Sequence, residues 1–171
     1  MHVKSGELAF TGIMTAFSVL LIMLGCYIDS STLFFLAAGA FLTGVVEYNC
    51  SFIPGIMHTA ASFAVGILLA PQKLYCLTFL CFSIYILIAE YLEAARFKGK
   101  IGTKLLWMIK FMVFEVLFLT VFFVYNYFIG FGDMLIILGI IVGAQVFWII
   151  YDRAYVMFQR KYGYIFRKFG R

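Results

Sequence analysis

Charge is what this chain has least of. Asp, Glu, Lys and Arg make up 12% of its 171 residues, while 65% are hydrophobic and the mean hydropathy is +1.05. Soluble domains carry about a quarter charged residues and about half apolar ones. A globule of this size still exposes much of its surface, and this chain has too few polar residues to cover it. The shortage excludes a soluble domain and points to an all-α integral membrane protein.

Other absences narrow the function. The stretch "KGKIGTK" (98–104) has glycine and lysine, but not in the G-x-x-x-x-G-K-[ST] order that wraps phosphates with backbone N–H groups. Any ATP-driven work must therefore come from another polypeptide. There is no G-x-S-x-G elbow and no H-E-x-x-H pair, so nothing marks an enzyme. Cys26, Cys50, Cys76 and Cys81 have neither zinc spacing nor a paired register. They are read as small apolar residues, and neither a metal site nor a cofactor is expected. "LIMLGC" (21–26) has the look of a lipoprotein cleavage site. Its apolar run is too long for a secretory signal and leads into more membrane-like sequence, so it belongs to an uncleaved first span.

What is present is long apolar runs cut by charge. Leu8 to Ile28 is uncharged over 21 residues, enough to cross a hydrocarbon core of about 30 Å as a helix. Five more follow, over about 30–46, 53–70, 74–92, 103–125 and 134–151. The third is entered through Pro54-Gly55, and proline is tolerated in a first helical turn. The prediction is a single domain, a bundle of six transmembrane helices with a basic tail over 152–171.

Basic residues orient the bundle. With the N-terminus inside, Lys4, the 96–104 loop and the tail hold all of the thirteen Lys and Arg residues except Lys73 and Lys110. The positive-inside rule then puts both termini in the cytoplasm of a multi-pass cell-membrane protein. Trp107 and Trp148 fall near the inner interface, and Tyr27, Tyr75, Tyr125 and Tyr127 near the outer one. The net charge of +5 is read as this topology signal meeting anionic lipid, not nucleic acid. The tail "RKYGYIFRKFGR" mixes basic and aromatic residues and is expected to lie along the inner surface.

Small residues supply packing cues. Ala9, Gly12 and Ala16 form a stripe on the first span, with Ala40 and Gly44 on the second. Ala60, Ser62, Ala64 and Gly66 follow on the third, and Gly139 and Gly143 on the sixth. Such spacing lets helix backbones approach closely, within the bundle or against a partner.

Two charged residues interrupt the oily fifth span "WMIKFMVFEVLF" (107–118). Lys110 lies about seven residues in, roughly 10 Å deep at 1.5 Å per residue. From there it can snorkel back to the headgroups or pair with Glu90 of the preceding span, a structural ion pair. Glu115 is about 140° further round the helix, near the bilayer midplane. A lipid-facing carboxylate there costs several kcal/mol. It must be protonated, bonded to another helix, or line a cavity. His58 is expected to make an interhelical hydrogen bond. Tyr125, Asn126 and Asp133, around "VYNYFIGFGD", would close a pocket or cap a loop.

Together, the six spans, the start "ELAFTGIMTAFSVLL", and "VVEYN", "LLAPQKLYCLTFLCFSIY" and "LLWMIKFMVFEVLF" resemble the S components of energy-coupling factor (ECF) transporters, in an uncharacterised Firmicutes branch. The resemblance covers most of the chain. It implies a substrate-binding membrane subunit for uptake of a vitamin or similar small-molecule micronutrient, partnered by a membrane coupling protein and an ATPase pair. Ala9, Gly12 and Ala16 match the family's coupling surface, and Glu115, Tyr125 and Asn126 become substrate-binding residues. The opening "MHV" and His58 are similar to the cobalt and nickel S components, but those need an outer N-terminus, whereas the charge count puts His2 inside. A second class is the non-transport membrane scaffold of the cell-shape (MreD-like) type.

Overall fold

The computed structural model describes residues 5–99, 102–130 and 134–166. His2, Lys4, Lys100, Asp133, Arg167, Lys168 and Arg171 lie outside the described residues. Among those described there are six α-helices and no strand: α1 Ser5–Tyr27, α2 Thr32–Asn49, α3 Phe52–Leu69, α4 Lys73–Phe97, α5 Thr103–Ile129 and α6 Met134–Phe166. A short 3-10 turn, Asp29–Ser31, joins α1 to α2. All six helices are long and apolar enough to cross a membrane.

The helix ends follow local chemistry. Pro54 sits in the first turn of α3, where its missing N–H leaves no bond unmade. Pro71 disfavours the helical conformation in the residue before it, and α3 stops at Leu69 with Ala70 extended. Gly130 ends α5 at φ 72°, returning its N–H to the Asn126 carbonyl. A side chain there would strain the backbone.

Several helices outrun the spans expected from sequence, α4 and α6 by the most. α4 continues through Glu93 and Arg96 to Phe97, and α6 continues through Asp152 to Phe166. The 152–166 stretch, expected as the start of a basic tail, continues α6, which is 33 residues long in all. The reason is burial with partners: Asp152 and Tyr155 each keep only 2% of their surface. A charge that marks a span end in the sequence need not be one if it is paired.

Side-chain contacts give the arrangement. Gly25 meets Thr32, and Gly39 meets Leu21, so α1 and α2 run antiparallel. Gly66 faces both Ile22 and Cys76, and Gly55 faces Leu87 and Glu47, which packs α3 along α1, α2 and α4. His58 is fully buried at the α1–α3 contact, with Thr15 Oγ1 3.1 Å from Nδ1 and Ser18 Oγ 3.2 Å from Nε2. Ser18 also donates to the Gly39 carbonyl at 3.0 Å, so one polar knot joins three helices where lipid offers no hydrophobic drive to associate.

α5 packs back on α4, with Thr78 beside Tyr125 and Glu93 beside Lys110. α6 follows, antiparallel to α5 through Glu115–Gln145 and Trp107–Trp148 contacts. It runs parallel to α4 through Tyr85–Asp152 and Glu90–Tyr155. Gly44 of α2 lets α6 approach closely. A Cβ built at Gly44 would stand 2.1 Å from the Tyr155 hydroxyl.

Candidate functional site

The aromatic side chains of α4, α5 and α6 are too bulky to let these helices close on one another along their whole length. Near Trp148 the gap is filled by rings, with Trp107, Phe111 and Phe114 all within 6 Å of it, centroid to centroid. Toward the end carrying Asp29, Tyr75 and Tyr125 the gap stays open as a cavity of about 590 Å³ bordered by α2, α4, α5 and α6. Phe114, Phe118 and Phe122 line one wall in successive turns of α5, with centroids 6.0 Å apart at each step. Phe82, Phe147 and Tyr151 line the other in mutual contact at 5.1–5.8 Å.

Polar groups are few and mostly spent. Thr32 donates to the Gly25 carbonyl at 2.8 Å. The Thr78 and Tyr125 hydroxyls lie 3.1 Å apart. Tyr85 donates to Asp152 at 2.8 Å and accepts from the Trp148 indole at 2.9 Å. Tyr151 differs: it is 4% exposed, and its hydroxyl has no hydrogen-bond partner among the described residues. Asp29, exposed at the other end, is the one charged residue in the described lining.

Behind Tyr85 lies a buried ionic cluster. Lys110 keeps 2% of its surface and donates to Glu93 at 3.0 Å and to Asp152 at 3.1 Å. Arg96 reaches the other oxygen of Glu93 at 3.2 Å. This corrects the expected Glu90–Lys110 pair. Glu90 instead accepts from the Tyr155 hydroxyl at 2.6 Å and from Gln159 at 3.4 Å. Glu93, one turn further along α4, is better placed for a lysine that reaches toward the helix end, and Asp152 of α6 supplies the second oxygen. Two carboxylates around one ammonium serve a buried lysine better than one, because two of its three N–H groups then find charged acceptors.

The other predicted residues fall in different places. Tyr125 lines the cavity. Asn126, the next residue, is exposed and outside the lining, and its carbonyl caps α5. Glu115 does not line the cavity either; the Gln145 amide donates to it across the α5–α6 contact. Ala9, Gly12 and Ala16 are exposed together on α1, and a Cβ at Gly12 would meet nothing within 4 Å.

Several residues of the site escaped sequence reasoning. Asp152 was taken as a boundary charge, and Gln145 was not singled out. A search for polar residues at i and i+7 in a span would have flagged Gln145 and Asp152 as one inward face of α6. Tyr151 carries no signal of its own in so aromatic a chain.

Comparison with known proteins adds no assignment: no family model matches the chain, and neither does any curated protein or solved structure.

Proposed function

We propose that the chain is the substrate-binding membrane subunit of an ECF-type uptake transporter for a vitamin or similar micronutrient, working with a separate membrane coupling protein and an ATPase pair. The cavity supports this reading most. Ligand pockets span about 300–1,000 Å³, are mostly apolar, and carry a few placed polar groups; this one has about 590 Å³, aromatic walls and a few polar residues such as Thr32, Thr78 and Tyr125. A bundle that served only as a scaffold gains nothing from leaving such a space unfilled, since each unfilled volume forfeits packing contacts. Its mouth is at the Asp29 end, the end that the positive-inside count assigns to the outside.

Two further features agree. The exposed Ala9, Gly12 and Ala16 leave α1 a face that another helix can approach closely, as a coupling partner would require. The sequence has no phosphate-binding loop of its own, so the energy would come from elsewhere. Affinity purification from native membranes in mild detergent, with mass spectrometry of what accompanies the chain, tests the proposal. Two ATPases and a polytopic coupling protein are expected. Cell-wall assembly proteins with no ATPase would replace the transporter reading with the scaffold one.

A further inference from the structure

Resting on that reading of the cavity, we infer that its ligand is a flat aromatic molecule, neutral or positively charged; carboxylates and phosphates are excluded. The described lining contains no Lys, Arg or His. The nearest buried ammonium, Lys110, stands behind Tyr85 and is committed to Glu93 and Asp152. An anion entering would shed its water with no cation in the described lining to receive it. The Tyr85 hydroxyl cannot help, since its proton is given to Asp152.

A neutral or cationic ring system meets the opposite conditions. Phe82, Phe118 and Phe147 offer faces for stacking, and aromatic faces attract cations. Asp29, exposed at the mouth, favours a positive group there. At the other end, the Tyr151 ring closes the cavity against Phe82 and Phe147.

The full chain in lipid nanodiscs can be titrated with three tricyclic probes of similar shape: acridone, neutral with a carbonyl; proflavine, cationic; and 9-anthroate, anionic. Gly143→Phe is the block, because Gly143 lines the cavity and a Cβ there meets nothing within 4 Å. Acridone and proflavine should bind saturably, one per chain, and be lost in Gly143→Phe; 9-anthroate should bind at least about tenfold more weakly, about 1.4 kcal/mol. Asp29→Asn should weaken proflavine alone. If 9-anthroate binds as tightly as acridone and Gly143→Phe blocks both, the charge rule is overturned while the cavity stands as a binding site. Probes that bind no better than to empty nanodiscs, or whose binding survives Gly143→Phe, overturn the cavity reading itself.

Discussion

The first four helices and the last two are built on different principles. Half of the apolar window in α2 and in α4 is buried inside the bundle, against 17% in α5 and in α6. α1 to α4 meet through glycine and small hydroxyl residues, with His58, Ser18 and the Gly39 carbonyl knotted between three helices. α5 and α6 meet the rest through large rings and a handful of polar bonds to α4, Glu93–Lys110, Tyr85–Asp152 and Glu90–Tyr155. Close packing leaves no cavity; ring-spaced packing leaves one, and the cavity lies where the two styles meet. The α1–α4 group is thus a fixed wall, and the α5–α6 pair a leaf pinned beyond the far end of the cavity from Asp29.

That comparison breaks most visibly at the pin. Lys110→Met leaves Asp152 and Glu93 facing each other without their ammonium, and removing one partner of a buried ion pair costs about 3–5 kcal/mol. Thermal unfolding in detergent should show a large drop in Tm, and Asp152→Asn in the same background should recover part of it. If Lys110→Met melts like the parent chain, the ionic cluster is not what pins α5 and α6. The corresponding exchange of Glu90 should not reproduce the effect, since Glu90 serves Tyr155 and Gln159.

Next comes the wall. Gly44→Ala drives a methyl group into the Tyr155 ring, with the hydroxyl 2.1 Å and Cζ 2.7 Å from the new Cβ. Overpacking of this kind costs about 1–3 kcal/mol. Gly12→Ala adds the same methyl group to open space, and helix propensity favours alanine over glycine by about 1 kcal/mol. Melting temperature should fall in the first and hold or rise in the second. Equal losses in both would mean that Gly12 is as enclosed as Gly44.

Much of this was legible in the sequence, and the rest failed for definite reasons. Long uncharged runs located all six helices, because twenty apolar residues have few other uses. Charge at Glu93 and Asp152 marks span ends in the sequence, yet α4 and α6 run on past both residues, which pair with buried Lys110. Helix register decides whether Lys110 reaches Glu90 or Glu93; the two are one turn apart on the same face, and spacing alone does not separate them. Tyr125 was found because it lies near an aromatic turn at a span end. Tyr151 was missed because its distinction, an unspent hydroxyl, is a property of its neighbours.

A smaller and opposite effect is expected at Glu47. Its side chain is 8% exposed, and Oε2 has no hydrogen-bond partner among the described residues. Glu47→Met keeps the volume and removes an unsatisfied buried group, whose cost is about 1–3 kcal/mol. Part of that gain is lost to imperfect packing, so Tm should rise modestly. A fall would show that the carboxylate is engaged and that α2 carries an ionic role of its own, which would blur the contrast between wall and leaf.

The finest test is the amide bond at the middle of the leaf. Gln145 donates to Glu115 between α5 and α6, deep in spans where polar bonds look indispensable. Double-mutant cycles in membrane bundles nevertheless average about 0.6 kcal/mol for such contacts, because the separated helices find other partners. Glu115→Gln and Gln145→Leu, singly and together, should give a coupling of that size by reversible unfolding. It is several times smaller than the loss expected at Lys110, as it must be if the pin lies at the ionic cluster. A coupling above about 2 kcal/mol would move the principal tie to Glu115 and make Lys110 and Asp152 the secondary one. The leaf would then hinge at its centre, beside Ala144 and Phe147 of the cavity wall, and ligand contact and helix attachment would share the same turn of α6.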